Sequence, residues 1–249
     1  MGAMPSTPEH TDLDFWFDPV CPFAWMTSKW VRIVARQRDY TVGWRFISLR
    51  QLNAGVDYAS HFPPEYEAQH TAGLKLLRVA SSIRDREGDD AVGHFYGALG
   101  TAIFDGEEAP HDADGQAHRG TAEFVAPVLA GLGLPADHVD ALDDDGRDAV
   151  IQDETDHALS LTGKDVGTPI LQFSPPTGVA FFGPVISRLP DEVDALELWD
   201  HVIGLASFPG FAEMKRSLRE RPQLRAFGVD PGAEGVTEDW HAGSRRQKK

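Results

Sequence analysis

One cysteine offers the most specific chemistry in this sequence. Cys21 is the only cysteine among 249 residues, and it lies between the apolar segment Leu13–Phe17 and a helical pattern from Trp25 to Arg38. At a strand-to-helix junction, free backbone N–H groups and the positive end of the helix dipole favour an anion. A thiolate is such an anion, and helix N-termini lower the pKa of cysteine. The sequence therefore predicts a reactive thiol with a lowered pKa, with a buried structural cysteine as the alternative.

The residues that follow Cys21 suit the start of a helix and contact with a bound molecule. Pro22 occupies a position in the first turn, where the missing N–H of proline costs no hydrogen bond. Phe23 lies between Pro22 and Ala24, and we expect its side chain to point outward near the sulfur atom. These three residues are candidate contacts for a substrate or a thiol, although aromatic side chains more often pack in a core.

The elements around this site form a β-α-β unit. The segment Leu13–Phe17 is predicted to be a buried strand, and residues 41–48 alternate between apolar and polar side chains, which predicts a second strand. The helical pattern after Cys21 connects these strands, so we expect them to be parallel with a right-handed crossover. Residues 49–64 have the composition of a loop.

A long stretch of helical pattern follows this unit before strand patterns return. Its predicted helices span residues 65–87, 91–104, 121–131, 136–142 and 146–163. Residues 168–173 and 179–182, separated by a turn rich in proline and glycine, predict a β-hairpin. A last helical pattern at 190–207 breaks at Pro209-Gly210 and is expected to continue to about Glu220.

This order of elements predicts an α/β protein. The fold is expected to be a thioredoxin-like, mixed four-stranded sheet with an all-helical domain inserted between the second and third strands. The two halves of the sheet domain are expected at residues 12–64 and 164–227, and the helical domain at 65–163. Residues 228–249 are polar and lack periodicity, which predicts a disordered tail.

Two further residues are candidates for binding. Asn53 and Tyr66 flank the loop after the second strand. Ligands of α/β proteins bind beyond the carboxyl ends of parallel strands, and this loop lies at that edge. Most loop residues of these types form turns or pack against neighbours, so both remain candidates for contact with a substrate or a thiol.

Charge and composition exclude several classes of partner. The formal net charge of -16 argues against nucleic acid and anionic membranes, because both require a basic face. One cysteine excludes an internal disulfide, and the ten histidines lack a metal-binding spacing, so no metal is expected. Without a glycine-rich phosphate loop, no tightly bound cofactor is expected. No signal peptide or membrane-spanning run is present, which favours the cytoplasm.

Two motifs give the chain a resemblance to a known family. The sequence FDPVCPFAW surrounds Cys21, and VGTP precedes the third strand at residues 166–169. With these motifs the chain resembles the DsbA-like thioredoxin superfamily, and within it the actinobacterial cytoplasmic members that include mycothiol-dependent reductases. The resemblance covers roughly residues 13–222. It implies that Pro169 follows a cis peptide bond beside Cys21, and that the Thr168 backbone pairs with a bound peptide or thiol cosubstrate.

The chain departs from that family at one position. The family motif usually contains two cysteines separated by two residues, and Ala24 stands at the second position. A dithiol enzyme resolves its mixed disulfide with the second thiol, which this chain lacks. Superfamily members without the second cysteine include kappa-class glutathione transferases and 2-hydroxychromene-2-carboxylate isomerases, which often carry serine at the position of Cys21.

The lone thiol leaves three hypotheses open. The first is a cytoplasmic thiol oxidoreductase in which Cys21 attacks a disulfide or a small electrophilic substrate, and mycothiol or another small thiol resolves the adduct. The second is a thiol-dependent isomerase or transferase that acts on a conjugated small molecule. The third is a redox-inactive binding module of the same fold. An exposed helical domain is also expected to allow a homodimer.

Overall fold

Four strands form the central sheet of the protein. The computed structural model describes residues 11–106, 110–163, 166–215, 218–229 and 237–239. The strands of the sheet are β1 (Leu13–Phe17), β2 (Val42–Phe46), β3 (Ile170–Phe173) and β4 (Ala180–Phe182). Their order is β2-β1-β3-β4, in which β1 is parallel to β2 and antiparallel to β3, and β4 is antiparallel to β3. The predicted mixed thioredoxin-like sheet is confirmed.

Helices surround this sheet and fill the sequence between β2 and β3. The α-helices of the described residues are α1 (Pro22–Arg38), α2 (Leu49–Leu52), α3 (Tyr58–His61), α4 (Glu65–Glu87), α5 (Asp89–Gly100), α6 (Ala113–His118), α7 (Ala122–Leu132), α8 (Asp148–Thr162) and α9 (Glu192–Ala206). A π-helical turn, Thr101–Asp105, extends α5, and 3-10 turns occupy Ala136–Asp143, Asp145–Arg147 and Arg225–Phe227.

Helix α1 packs between the sheet and α9. Its buried stripe includes Trp30, Val31 and Val34, at a spacing that places all three on one helical face. The Trp30 indole N–H donates to the Ala195 carbonyl oxygen of α9 at 2.9 Å, and its ring meets that of Trp199 edge to face at 5.3 Å. This packing holds the middle of α1 against α9.

The helical insertion shares one apolar core with the sheet. Tyr96 of α5 is fully buried and stacks on Phe17 of β1, with 3.9 Å between the ring centroids. The Trp44 ring of β2 lies 5.6 Å from the same tyrosine. Residues of α4, α5 and α7 belong to the same buried cluster as β1 and β2. The division into domains at residues 64–65 and 163–164 stays a prediction.

Helix α8 completes the far side of β2. The Glu154 carboxylate accepts the Phe46 N–H at 2.6 Å, and it also pairs with the Arg84 guanidinium of α4. The Thr155 hydroxyl oxygen accepts the Ser48 N–H at 3.0 Å. Side chains of the insertion therefore satisfy backbone donors at the outer strand of the sheet.

Three parts of the chain differ from the sequence-based expectations. Helices α2 and α3 lie in the predicted loop 49–64, and α6 lies in a stretch expected to be irregular. The expected continuation of the last helix to Glu220 is wrong, because α9 ends at Ala206 and residues 218–220 form strand β5 (Leu218–Glu220). The Pro209–Gly210 pair lies between α9 and β5; proline has no N–H to bond the preceding turn, and glycine has a low helix propensity.

The predicted disordered tail falls mostly outside the described residues. Of residues 228–249, the structure describes 228–229 and 237–239. Strand β6 (Thr237–Asp239) pairs antiparallel with β5, a contact between distant segments that local composition does not encode. None of the described helices combines the length and apolar character that a membrane span requires.

Candidate functional site

Cys21 caps the helix that follows β1. Its backbone is extended, and its Sγ atom accepts the Ala24 N–H at 3.4 Å, so the thiol occupies the N-cap position of α1. The Cys21 carbonyl oxygen accepts the first intrahelical hydrogen bond, from Trp25 N–H at 3.0 Å. The residue is 8% exposed. The predicted location at a strand-to-helix junction is thus observed, with the sulfur turned inward onto the helix N-terminus.

The loop before β3 forms the other wall of the site. The Thr168–Pro169 peptide bond is cis, as the resemblance implied, and the Cys21 thiol donates to the Thr168 carbonyl oxygen at 3.5 Å. The Thr168 hydroxyl donates to the Trp16 carbonyl oxygen of β1 at 3.1 Å. Because β1 and β3 are antiparallel neighbours, the end of β1 and the start of β3 meet at one edge of the sheet. Cys21, which follows β1, and Thr168, which precedes β3, both lie near that edge.

Burial controls the acidity of the thiol. Burial, with a smaller contribution from the charge of Asp18, raises the pKa of Cys21 to about 12, although the Ala24 and Phe23 N–H groups act to lower it. The expectation of a lowered pKa is therefore wrong for this arrangement. The N–H groups at the helix N-terminus stabilise the thiolate as predicted. This stabilisation is smaller than the free-energy cost of removing the thiolate from water.

Asp18 is a buried carboxyl group that the sequence-based search did not select. Its side chain is 0% exposed and accepts the Val20 N–H at 3.1 Å and the Leu49 N–H at 2.8 Å. Burial raises the pKa of Asp18 to about 7, against the lowering effect of these two donors. The signal in the sequence was an acidic residue directly after an apolar strand and three positions before the cysteine.

Helix α4 packs directly over the loop that carries Cys21. The Gln69 side-chain amide donates to the Val20 carbonyl oxygen at 2.9 Å. A Cβ atom at Gly73 would lie 2.5 Å from an oxygen of Asp18 and 2.9 Å from a Val20 methyl carbon. The absence of a side chain at Gly73 lets the helix approach the loop this closely.

Tyr66 belongs to an aromatic cluster at the start of α4. In this cluster, which consists of Tyr58, Phe62, Tyr66 and His70, the Phe62 and Tyr66 rings stack at 5.7 Å. The Tyr58 hydroxyl and His70 Nδ1 are 3.0 Å apart. Burial lowers the pKa of His70 to about 4, so this imidazole is neutral at neutral pH. One helical turn of α4 separates Tyr66 from Gln69, which contacts the Cys21 loop.

The other predicted contacts lie at the start of α1 and at the end of α2. Pro22, Phe23 and Ala24 form the first turn of α1, where the first two are partly exposed and Ala24 is buried. Asn53 lies at the end of α2, and its side-chain amide donates to the Leu49 carbonyl oxygen at 2.8 Å. The Asn53 amide therefore caps the end of α2, and the Asp18 carboxylate accepts the first N–H of the same helix, that of Leu49.

The groups around the Cys21 thiol determine the chemistry that is open to the site. No group of three or more histidine, cysteine, aspartate or glutamate side chains in these ranges is arranged to hold a metal ion. The Cys21 thiol is a nucleophile that contacts the carbonyl oxygen of the buried residue Thr168, and the partly exposed Pro22 and Phe23 provide apolar surface next to it. Such a site can attack a disulfide sulfur or add to an electrophilic carbon.

Comparison with known proteins identifies the family of the chain. A 32% identical relative, the uncharacterized protein Rv2286c of Mycobacterium tuberculosis, aligns over 83% of this chain and 82% of its own length. Two solved structures are similar at 14% identity. A putative protein disulfide isomerase from Nitrosomonas europaea covers 77% of this chain and 98% of its own, with a TM-score of 0.48. The cytosolic disulfide reductase DsbM from Pseudomonas aeruginosa covers 78% and 99%, with a TM-score of 0.47.

The family match extends over most of the chain. The model of the Rv2466c-like family, described as mycothiol-dependent nitroreductase Rv2466c, matches residues 20–216. This range begins at the Cys21 loop and includes the helical insertion, β3, β4 and α9. The chain therefore belongs to the Rv2466c-like family.

Proposed function

We propose that this protein is a thiol-dependent oxidoreductase that works through the single thiol of Cys21 and a small external thiol such as mycothiol. The observation that carries the proposal is the position of Ala24 in the first turn of α1. Ala24 occupies the place of the second cysteine that would resolve a mixed disulfide, and its N–H donates to the Cys21 sulfur at 3.4 Å. Cys21 is the only cysteine in the sequence, so resolution must come from outside the chain.

The reaction balances with two external thiols. The Cys21 thiolate attacks one sulfur of a disulfide, a new S–S bond forms at Cys21, and the other sulfur leaves as a thiolate that takes up a proton. A small thiol then attacks the substrate sulfur of the mixed disulfide, which releases Cys21 as a thiolate and leaves a disulfide between that sulfur and the small thiol. A second small thiol attacks this disulfide at the sulfur of the first and releases the remaining half of the substrate as a thiol. The substrate disulfide thereby gains two electrons, and the two small thiols supply them as they become joined in a disulfide.

Residues around the thiol would perform binding and charge stabilisation. The Ala24 N–H and the N-terminus of α1 stabilise negative charge on the sulfur. The Thr168 and Pro169 backbone would orient the thiol partner beside Cys21. Pro22 and Phe23, both partly exposed, and the more distant Asn53 and Tyr66 are the candidate contacts for the rest of that molecule.

The partner would be a small molecule that the chain does not hold between turnovers. A small-molecule disulfide or electrophile and a diffusible thiol need no tightly bound cofactor. A reducing compartment such as the cytoplasm maintains small thiols in the state that resolves the adduct. Mycothiol is the first thiol to test, because the family model names a mycothiol-dependent enzyme.

The lone thiol also favours a second candidate function. In a thiol-dependent isomerase, a thiolate adds reversibly to a conjugated double bond, the resulting single bond rotates, and elimination releases the isomer and regenerates the thiolate. A transferase would instead keep the added thiol in its product. Such a cycle consumes no reducing equivalents and needs no resolving cysteine, which fits Ala24 equally well. Product formed without net oxidation of thiol would favour this chemistry over the oxidoreductase.

The deciding experiment is the intact mass of the protein after exposure to mycothiol disulfide and then to free mycothiol. We expect one mycothiol adduct, absent in Cys21→Ser, that free mycothiol removes. An adduct that persists would refute resolution by this thiol. No adduct on a thiol that alkylates under denaturing conditions would contradict the oxidoreductase and support a redox-inactive binding module.

A further inference from the structure

Arg119 is a buried cation in the turn between α6 and α7. The residue is 5% exposed, and its guanidinium forms no ion pair with a carboxylate of the described residues. Its Nη1 atom donates to the side-chain oxygen of Gln116 at 2.6 Å. Gln116 is itself buried and carries no charge. The positive charge of Arg119 is therefore held away from water without a counterion.

The aromatic ring next to this guanidinium compensates the charge only weakly. The Phe104 ring centroid lies 5.9 Å from the Arg119 Cζ atom, at the outer limit of a cation–π contact. Burial lowers the pKa of Arg119 to about 10, and no neighbouring charge among the described residues opposes that shift. The guanidinium still carries its proton at neutral pH, so the site stays positively charged.

The free edge of the guanidinium has the shape that binds a carboxylate. The Arg119 Nε and Nη2 atoms donate to none of the described residues. Neither atom is among the fully buried polar atoms that lack a partner, so solvent reaches this edge. Its parallel N–H groups match the two oxygens of a carboxylate. The chain uses the same edge elsewhere, since Arg78 donates through Nε and Nη2 to both oxygens of Asp148 at 2.6 and 2.7 Å.

The backbone around Arg119 holds this edge in place. Gly120, the next residue, packs so closely on α4 that an added Cβ atom would lie 3.1 Å from the Ala72 Cα atom. The Arg119 N–H donates to the Gln116 carbonyl oxygen at 3.3 Å, and Thr121 is the N-cap residue of α7. A pair of donors that is positioned before a ligand arrives loses less conformational entropy on binding.

We propose that Arg119 binds the carboxylate group of a small organic molecule through its Nε and Nη2 atoms. A monoanion neutralises the single buried charge, whereas a phosphate dianion would bring an excess negative charge into a site with one cation. In a chain with a net charge of -16, an anion needs such a dedicated cation to bind. The residue is only 5% exposed, so the opening suits a small molecule rather than a protein surface.

This carboxylate site goes beyond the proposed function and does not depend on it. The contacts of the Arg119 side chain are with Gln116 and Phe104, and neither Cys21 nor Thr168 is among them. We therefore expect Cys21→Ser to bind a carboxylate as the wild-type protein does.

The test is an NMR titration of the isotope-labelled full chain with benzoate, and with benzamide as the uncharged counterpart. The titration is followed at the Arg119 Nε–H signal, which through-bond spectra assign. We expect benzoate at millimolar concentration to shift this signal downfield until it saturates, because the N–H group gains a charged acceptor. Benzamide, which lacks the charge and the second oxygen, should shift it far less.

Two variants separate the shape of the donor group from its charge. Arg119→Lys keeps the charge but loses the parallel N–H groups, so the Kd for benzoate, measured from backbone amide shifts, should rise about tenfold or more. Arg36→Gln is the matched control, because it removes one positive charge from the exposed last turn of α1. This control should keep the wild-type Kd.

Each result bears on the carboxylate site. A wild-type Arg119 signal that benzoate does not shift overturns the proposal, even if Arg119→Lys fails to fold. Equal Kd values for the wild type and Arg119→Lys overturn it as well, because benzoate would then bind elsewhere. A larger response to inorganic phosphate than to benzoate would contradict the assignment to a carboxylate. Failure of Cys21 to form the mycothiol adduct would count against the proposed function alone.

Discussion

The Cys21 sulfur lies 3.5 Å from the Thr168 carbonyl oxygen, although 147 positions separate the two residues in the sequence. The contact exists because β1 and β3 are neighbours in the sheet and their ends meet at one edge. The pairing of β1 with β3 thus brings together Cys21, the proposed nucleophile, and the Thr168 backbone, which is proposed to orient its partner. Any change that loosens the pairing of these strands should weaken the site.

The Thr168 hydroxyl should stabilise this junction. Thr168→Val keeps the shape of the side chain but removes the donor to the Trp16 carbonyl oxygen, so we expect a loss of about 1 kcal/mol in the free energy of unfolding. Urea denaturation measures the loss. Thr162→Val is the control, because the Thr162 hydroxyl donates within α8 to Ala158. Equal losses in both variants would contradict a special role for Thr168.

A second cysteine should allow the protein to resolve the mixed disulfide by itself. Ala24→Cys restores two thiols separated by two residues at a helix N-terminus, an arrangement that forms internal disulfides. After exposure to mycothiol disulfide, the adduct should become transient, and intact mass should show the protein without two hydrogens. Ala24→Ser, which adds a similar atom without a thiol, should keep a lasting adduct. A lasting adduct in Ala24→Cys would contradict the position assigned to the second thiol.

The approach of α4 to the Cys21 loop should tolerate no added side chain. Gly73→Ala places a Cβ atom 2.5 Å from an Asp18 oxygen that backbone hydrogen bonds hold in place. We expect a loss of about 1–3 kcal/mol in the free energy of unfolding, despite the higher helix propensity of alanine.

Gly131→Ala is the matched control for this substitution. Gly131 lies within α7, and an added Cβ atom would meet nothing within 4 Å. Thermal unfolding should show stabilisation by about 0.5–1 kcal/mol, which is the helix propensity effect alone. Stabilisation of Gly73→Ala to the same extent would contradict the tight packing over the loop.

His70 should make stability depend on pH. Burial lowers the pKa of His70 to about 4 in the folded protein, whereas an unfolded histidine titrates near 6.5. Between these values the unfolded chain binds more protons, so the contribution of His70 to stability is complete above pH 6.5 and is lost as the pH falls toward 4.

The variant His70→Gln does not titrate and isolates this effect. The stability of the wild-type protein relative to His70→Gln should fall by roughly 3 kcal/mol from neutral pH to about pH 4, as measured by urea denaturation. His201→Gln is the control, because the His201 side chain is 71% exposed. A stability difference for His70→Gln that does not change with pH would contradict the burial of a neutral imidazole.

The sequence pattern predicted those strands and helices whose apolar residues recur at a regular spacing. The alternation in β2, the apolar run of β1 and the long pattern of α4 are encoded in neighbouring residues, and the motifs placed Cys21 and Thr168 at one site. Helices α2 and α3 have four residues each and depend on caps such as Ser48 and Asp57. Such short helices lack the periodicity that identifies a helix from sequence.

The acidity of Cys21 could not be predicted from its position along the chain. The helix N-terminus was visible in the sequence, but the burial of the sulfur depends on the Thr168 loop and on α4, which pack against it from distant segments. Asn53 shows a different limit, since its amide bonds the Leu49 carbonyl oxygen four positions earlier. This local cap belongs to a short helix that the sequence pattern did not reveal, whereas tertiary packing decided the acidity of Cys21.

The hydrogen bonds that α8 makes to β2 have a consequence for aggregation. The Glu154 and Thr155 side chains accept hydrogen bonds from the backbone N–H groups of residues 46 and 48. Unpaired N–H groups at an open sheet edge would be free to pair with a strand of another chain. The helical insertion thus acts as a guard against edge-to-edge polymerisation as well as a wall of the site. A shortened protein without residues 65–163 would expose that border, and we expect it to form β-rich aggregates rather than a smaller folded protein.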